Sequence, residues 1–182
     1  NTRHQTQNRI KGKAVVQITQ SKIISGVYTI EDDRFTDSRG TIWTSYLRSN
    51  FKKIVPVEFN HDKFTASKQN VLRGIHYDTK AWKIVSCVQG KIFQVCVDLR
   101  KKSPTYMKWQ SWQLNGNINK QVLMPPMVAN AWLVTSKGGI YHYKWGYKGK
   151  YPDAQQQGTI AWDDARIGVK WPIKKPKLSK RD

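Results

Sequence analysis

Short runs rich in Val, Ile, Tyr, Trp and Thr recur along this chain of 182 residues, and few stretches have the period of an amphipathic helix. The runs are GVYTI, TIWTSY, KIVSCVQ, KIFQVCVDL, KWQSWQL, KQVLMPP, NAWLVTS and IYHYKW. Turn formers separate them, as in DDRFTDSRG, VQGK, NGNIN and SKGG. This pattern predicts an all-β sandwich or barrel and excludes folds with long helices between strands. Only TSYLRSNFKK and WDDARIG are candidates for a few short helices.

The chain divides into a polar start and a β-rich body. Residues 1–14 are basic and have no hydrophobic period, which predicts a flexible tail. The β pattern then runs over residues 15–182, a length that suits one domain. No run approaches the roughly 20 apolar residues of a membrane helix, and the start has no apolar signal segment. We therefore expect a single cytoplasmic domain without a membrane partner.

The net charge of +20 raises nucleic acid and phosphorylated compounds as partners. Lys and Arg are spread nearly evenly, and the imbalance arises because acids are scarce, with none between Arg100 and Tyr151. A spread charge is a weaker sign of nucleic-acid binding than a basic stripe is. The distribution favours an ordinary basic surface first, attraction of phosphorylated substrates second, and nucleic-acid binding least.

Cysteines and histidines give no metal pattern. Cys87 and Cys96 flank a predicted turn at Gly90, and we expect both to be reduced core residues. The four histidines form no HxH or HExxH motif, and the cysteines form no CxxC motif. The sequence therefore predicts no metal site and no metal cofactor. His142 lies between two tyrosines on a predicted strand, so its side chain should face away from theirs.

Strand alternation predicts an inward-facing lysine. If Lys83 faces the barrel interior, Cys87 does too, and Gln94 and Cys96 can share that side across the turn. A lysine inside a barrel is costly unless it meets an anion. Lys83 therefore marks a candidate pocket.

His76, in VLRGIHYDTK, and His61, in FNHDKF, are the informative histidines. A lone histidine on a strand is most often a hydrogen-bonded structural residue. Arg73 and Lys83 near His76 favour a functional role, because fixed cations keep a neighbouring imidazole neutral, as a general base requires.

A series of motifs resembles the dTDP-4-dehydrorhamnose 3,5-epimerase family over about Gly26 to Asp182. The motifs are VLRGIHY, KIV, VDLRKKSPTY, PP with LVTS, YHYK, AWDD, KWP and LSKRD, in the family's order and at nearly its spacing. The resemblance implies a cupin jelly-roll barrel that is homodimeric and uses no cofactor. It also implies an isomerase that inverts carbon 3, carbon 5 or both in a nucleotide-linked 4-keto-6-deoxy sugar.

The resemblance also implies four catalytic residues. His76 would be the base that removes a proton beside the ketone, and Asp182 would orient it. Tyr143 would be the acid on the opposite face, and Lys83 would lie near the ketone oxygen. Because carbons 3 and 5 flank the carbon 4 ketone, removing either proton gives an enolate that a lysine can stabilise.

Six residues are expected to bind the substrate: Arg39, Arg73, Asn130, His61, Lys63 and Gln94. Arg39 and Arg73 match family contacts to the diphosphate. The other four, together with Thr44 and Lys148, stand where thymidine-specific members have different residues. These departures favour a GDP-linked 4-keto-6-deoxy-heptose, used in lipopolysaccharide or capsule synthesis, over a dTDP-linked hexose.

Three alternatives stay open at the level of sequence. A sugar 3,4-ketoisomerase on the same barrel is disfavoured by RGIH together with Tyr143. A nucleic-acid-binding β-barrel would use the aromatic residues interleaved with lysines in YHYKWGYKGKY. A catalytically silent sugar-binding relative would differ from the epimerase in catalysing no proton exchange with solvent.

Overall fold

The computed structural model describes residues 16–151 and 154–182, and almost all of its regular structure is β-strand. The strands are β1 (Gln17–Gln20), β2 (Tyr28–Glu31), β3 (Phe35–Asp37), β4 (Gly40–Ile42), β5 (Phe59–Lys68), β6 (Leu72–Tyr77), β7 (Trp82–Gln89), β8 (Lys91–Asp98), β9 (Trp109–Asn115), β10 (Lys120–Met124), β11 (Val128–Val134), β12 (Gly138–Gly146) and β13 (Gly158–Thr159). The all-β prediction is confirmed. The tail predicted at residues 1–14 lies outside the described residues.

The strands form two antiparallel sheets and one separate hairpin. The first sheet has the order β1-β2-β10-β7-β12-β5, and the second has the order β13-β6-β11-β8-β9. Within the described part of the chain, strands β3 and β4 pair only with each other. Neighbours in both sheets are mostly distant in sequence, so the chain crosses repeatedly between the sheets, as a jelly roll requires.

The core lies mainly between the two sheets, and the predicted inward alternation is confirmed. Cys87 of the first sheet and Cys96 of the second belong to the same buried cluster, and both thiols are unpaired. Trp132 and Tyr141 stack inside it with ring centroids 4.5 Å apart. A second cluster covers the outer face of the second sheet, where residues of the C-terminal segment pack on strands β6, β8 and β11.

The two predicted short helices are reduced or missing. The first candidate segment contains only a 3-10 turn at Arg48–Asn50, and a second 3-10 turn lies at Ala154–Gln156. WDDARIG, the other candidate for a short helix, forms consecutive turns instead. There the Asp164 carboxylate accepts hydrogen bonds from the backbone and side chain of Arg166. Such local side-chain bonds compete with helical ones.

Gly74, next to the base predicted by the sequence, lets strand β6 approach β11 closely. Its φ is +138°, and a Cβ placed there would lie 2.3 Å from Ala131 Cβ and 2.6 Å from Ala131 Cα. Its backbone N–H donates to Asp182 Oδ1 at 3.1 Å. A glycine at this point therefore brings β6, β11 and the C-terminal segment together.

We expect Gly74→Ala to lower the free energy of unfolding strongly. The alanine would suffer both an unfavourable φ and a collision with Ala131, together roughly 3 kcal/mol. Gly40→Ala is the matched control, because Gly40 has a φ of +132° but nothing within 4 Å of an added Cβ. Urea unfolding should show a loss of about 1 kcal/mol for the control. Equal losses in the two variants would contradict the packing role given to Gly74.

Candidate active site

Residues of both sheets and of the C-terminal segment line a cavity of about 230 Å³. Seven residues predicted from the sequence meet there: His76, Tyr143, Asp182, Lys83, Arg73, Asn130 and Lys63. They come from strands β5, β6, β7, β11 and β12 and from the last residue of the chain. This convergence of residues that are distant in sequence marks the cavity as the candidate active site.

A larger cavity of about 480 Å³ contains none of the residues predicted for the site. It is lined in part by Phe64, Ser86 and His142. His142 stacks on Phe64 and contacts Asp62 through Nε2 at 2.6 Å. Its side chain thus faces away from the tyrosines on either side of it, as predicted. The chemistry therefore points to the smaller cavity.

His76 is held between two oxygen atoms. Its Nε2 lies 2.9 Å from Asp182 Oδ1, and its Nδ1 lies 3.0 Å from Thr159 Oγ1. In the tautomer that donates Nε2–H to the carboxylate, Nδ1 carries the lone pair. The imidazole is therefore oriented by Asp182, and the Thr159 hydroxyl lies beside the nitrogen that carries the lone pair.

Asp182 is nearly buried although it is the last residue, with a side chain only 3% exposed. Its Oδ2 accepts hydrogen bonds from the backbone N–H and the hydroxyl of Ser179, at 2.9 and 2.6 Å. Burial acts to raise the pKa of Asp182, but the hydrogen bonds from His76, Ser179 and Gly74 outweigh it and hold that pKa well below its usual range. Asp182 is thus a fixed anion beside the imidazole.

Tyr143 lies on the other sheet and lines the same cavity as His76. Burial raises the pKa of Tyr143 to about 12, although the hydrogen bond from Trp132 acts to lower it. Trp132 Nε1 donates that bond to the Tyr143 oxygen at 2.7 Å. The hydroxyl therefore stays protonated at neutral pH, and its own hydrogen is not used by the tryptophan.

Lys83 points inward and meets an anion of the chain itself. Its Nζ lies 2.5 Å from Asp78 Oδ2 and 4.8 Å from the centroid of the Trp145 ring. The sequence correctly predicted that an inward lysine needs an anion. It did not identify Asp78, only two residues after His76, as that anion.

Asn130 lines the cavity, whereas Gln94 does not, so the substrate contact predicted for Gln94 is not supported by its position. Gln94 is completely buried between the sheets because its side chain shares the interior side of β8. Its Nε2 donates to Asn130 Oδ1 at 2.6 Å, and the Tyr141 hydroxyl donates to the same oxygen at 3.2 Å. With Oδ1 engaged twice, the Asn130 amide N–H₂ is the group available to a ligand.

Lys63 and Arg73 give the cavity positive charge. Lys63 Nζ donates to the Tyr151 hydroxyl at 2.7 Å. The exposed Arg73 guanidinium lies 5.8 Å from the centroid of the Trp132 ring. Both cations can contact an anionic ligand at low cost because they remain partly in water.

His61 and Arg39 lie outside the lining of this cavity, and the substrate contacts expected for them stay predictions. The His61 ring packs against Tyr151 at a centroid distance of 4.5 Å and contacts the Tyr147 hydroxyl at 3.3 Å. Arg39 lies on the separate β3–β4 hairpin, where its side chain is 86% exposed and pairs with Asp37 at 2.6 Å. Within residues 16–151 and 154–182, the hairpin pairs with neither main sheet.

Sequence reasoning missed several neighbours of the site, chiefly Asp78, Thr159, Trp145 and Tyr151. Asp78 had a signal, because it is the acid nearest in sequence to the inward-facing Lys83. Thr159 had none, because it reaches His76 only through the pairing of β13 with β6.

The described ranges, 16–151 and 154–182, contain neither a candidate metal site nor a helix that could span a membrane. No group of three or more His, Cys, Asp or Glu side chains could hold a metal ion there. In the same ranges, no helix has the length and apolarity needed to cross a membrane. Metal independence stays a prediction.

Comparison with known proteins agrees with the geometry. A family model described as dTDP-4-dehydrorhamnose 3,5-epimerase matches residues 21–182. The enzyme of that name from Salmonella typhimurium is 33% identical over 165 residues, covering 87% of this chain and 88% of the relative. The one from Shigella flexneri is 35% identical over 164 residues, covering 87% and 89%.

A solved structure extends the similarity to the fold. It is a dTDP-6-deoxy-D-glucose-3,5-epimerase from Legionella pneumophila in complex with dTDP-4-keto-L-rhamnose. It superposes with a TM-score of 0.85 at 28% identity and covers 92% of this chain and 90% of its own. Fold and site together define a carbohydrate epimerase on a cupin-type β-barrel. More particularly, the chain belongs to the dTDP-4-dehydrorhamnose 3,5-epimerase family.

Proposed function

We propose that this protein inverts carbon 3, carbon 5 or both in a nucleotide-linked 4-keto-6-deoxy sugar by removing a proton from one face and returning one to the other. The observation that carries the proposal is the placement of His76 and Tyr143 on opposite sheets, β6 and β12, in the lining of one cavity. A base and an acid on opposite walls are what inversion of a carbon acid needs.

In the first step, His76 removes the proton next to the ketone. The carbon–hydrogen bond breaks, its electron pair becomes part of the enolate, and the proton moves to the imidazole. The resulting imidazolium is stabilised by the Asp182 carboxylate, 2.9 Å from Nε2. Asp182 therefore acts as the orienting and charge-compensating partner of the base.

Lys83 and Asn130 stabilise the enolate. The ammonium of Lys83 and the amide N–H₂ of Asn130 are donors in the lining of the cavity that also holds the base and the acid. Donors fixed in place before the charge develops lower the barrier, because they need no reorganisation during the step.

In the second step, Tyr143 donates its proton to the opposite face of the enolate. A carbon–hydrogen bond forms with inverted configuration as the Tyr143 O–H bond breaks. The tyrosinate then takes up a proton from solvent and the His76 imidazolium releases one to solvent, which restores both groups. The hydrogen bond from Trp132 Nε1, at 2.7 Å, stabilises the transient tyrosinate.

We expect Tyr143→Phe to slow inversion by about 10² or more while slowing proton exchange less. The acid acts after the enolate has formed, so substrate should become labelled from deuterated water without being inverted. Proton NMR distinguishes labelled substrate from product. Tyr147→Phe is the control, because Tyr147 lies outside the cavity lining. Equal slowing of exchange and inversion would remove Tyr143 from the role of acid.

The nucleotide base is a finer question, on which the observations differ. The named relatives carry dTDP in their descriptions, which gives the GDP preference no support. Thr44, His61, Lys63 and Lys148 still differ from the residues expected in thymidine-specific members. The preference for a GDP-linked heptose therefore rests on these departures alone.

From these departures we expect GDP to bind more tightly than dTDP, and competition calorimetry measures the difference directly. The two nucleotides should be compared at one ionic strength, because the cavity is basic. A tenfold preference for dTDP, about 1.4 kcal/mol, would overturn the GDP assignment while leaving the reaction unchanged.

The reaction itself is tested by incubating the protein with dTDP- and GDP-linked 4-keto-6-deoxy sugars and identifying the epimers by NMR. Product formed in the presence of a chelator supports the metal-free mechanism. Activity that is lost with the chelator and restored by zinc would contradict it.

The proposal also includes a homodimer that works in the cytoplasm and does not bind nucleic acid. Light scattering tests the dimer.

A further inference from the structure

We infer that Asp78 is a positioning residue for Lys83, an inference that rests on the proposed function. The two side chains form an ion pair with 2.5 Å between Lys83 Nζ and Asp78 Oδ2. Both are buried, with side chains 5% and 1% exposed. Lys83 lines the cavity and Asp78 does not, so Asp78 can act on the reaction only through the lysine.

The turn that follows β6 holds the Asp78 carboxylate rigidly. Its Oδ1 accepts hydrogen bonds from the backbone N–H groups of Lys80 and Ala81, at 2.9 and 2.6 Å. Its backbone carbonyl accepts another from Met127 N–H at 2.8 Å. One carboxylate oxygen is thus fixed by the turn, and the other is left for Lys83.

Lys83 is the group that compensates the negative charge on Asp78 Oδ2. Among the described residues it has no hydrogen bond of regular geometry, although the ammonium lies 2.5 Å away. The contact is therefore an ion pair that is close in distance but poorly aligned as a hydrogen bond. A buried carboxylate and a buried ammonium each require the other, because either one alone would be strongly unfavourable away from water.

The pair restricts where the ammonium can point. An ammonium has three N–H groups on a long, flexible side chain. Asp78 lies on one side of Nζ and the Trp145 ring lies on another, 4.8 Å from Nζ to the centroid. The remaining direction is toward the cavity, where the ketone oxygen of the substrate would lie. Asp78 therefore keeps the enolate-stabilising donor in place before the substrate arrives.

Asp78→Asn tests this role because the amide oxygen can still accept the bonds from Lys80 and Ala81 while the charge is lost. We expect kcat to fall by about 10²-fold, as for a displaced catalytic group, with KM changed less than about twofold. Binding of the nucleoside diphosphate alone, measured by calorimetry, should be unchanged.

A double-mutant cycle with Lys83→Met separates positioning from general support of the fold. If Asp78 acts through Lys83, adding Asp78→Asn to Lys83→Met should change kcat by less than about threefold. If Asp78→Asn lowers kcat by the same factor in the wild-type and Lys83→Met backgrounds, the inference is overturned. The double variant carries no isolated buried cation. Where Asp78→Asn alone does not fold, a loss of more than about threefold between Lys83→Met and the double variant therefore still contradicts the inference.

Asp98→Asn is the matched control, since Asp98 is also buried and paired, with Arg100 at 2.8 Å, but lies outside the cavity lining. It should lower thermal stability without changing kcat per folded molecule. A wild-type protein that exchanges no sugar protons would contradict the proposed function. If the wild-type protein exchanges sugar protons and the Asp78→Asn variant has a normal kcat, only the positioning role would be contradicted.

Discussion

Replacing His76 with Asn is expected to abolish both proton exchange and product formation. Loss of a general base lowers the rate by about 10² to 10⁴-fold, and no enolate forms without it. Asn can still donate toward Asp182, so the pocket should keep its shape. Exchange is measured by the loss of sugar proton signals in deuterated water, and inversion by the appearance of the epimer.

His142→Asn is the control for this variant. His142 also contacts an aspartate, Asp62, but it lies outside the active-site cavity. Its replacement should leave both rates near those of the unaltered protein. Near-normal exchange in His76→Asn would show that another group is the base, and the mechanism proposed for this cavity would then fail.

Lys83→Met is expected to slow exchange and inversion together, by about 10² to 10³-fold. The enolate is common to both processes and would lose the cation nearest its oxygen. Methionine has a similar length and suits an apolar interior, but it leaves the buried Asp78 carboxylate unpaired. Rates are therefore compared per folded molecule, and the Asp78→Asn/Lys83→Met double variant, which buries no lone charge, should show the same loss. The comparison of the two rates separates this variant from Tyr143→Phe, which should affect mainly inversion.

Lys144→Met is the matched control, because Lys144 pairs with Asp62 at 2.7 Å and lies outside the active-site cavity. It should leave both rates unchanged. A Lys83→Met variant with normal exchange would show that Asn130 or another donor carries the enolate charge, and it would remove the basis for the role given to Asp78.

The fold was largely predictable because its main determinant is local. Alternation of apolar and polar residues in short runs decides strand formation and decides which face is buried. The inward placement of Lys83 and Gln94 followed from that alternation and is confirmed. WDDARIG forms turns rather than the candidate helix, because hydrogen bonds between Asp164 and Arg166 compete with helical ones.

Residues of the candidate site could be predicted from the sequence only where they lie in motifs that resemble those of the family. The positions of His76, Tyr143, Lys83 and Asp182 agree with the family resemblance, and the structure brings all four to one cavity. Alternation alone placed Gln94 inside, but it could not show that Asn130 would lie between Gln94 and the ligand space.

Contacts between strands that are distant along the chain could not be predicted from the sequence. Asn130 lies opposite His76 because β11 pairs with β6 in one particular register. Thr159 reaches the same histidine through the pairing of β13 with β6, more than 80 residues along the chain. Registers of this kind depend on the whole sheet rather than on any local pattern.

The most direct test of the central claim is proton NMR of nucleotide-linked 4-keto-6-deoxy sugars in deuterated water with the unaltered protein and a chelator. Enzymatic removal of protons beside the ketone predicts that the signal from carbon 3, carbon 5 or both disappears and that the signals of an epimer appear. The same sample with His76→Asn should keep the original spectrum. Signals that persist with the unaltered protein for every dTDP- and GDP-linked sugar offered, or exchange that continues in His76→Asn, would contradict the account.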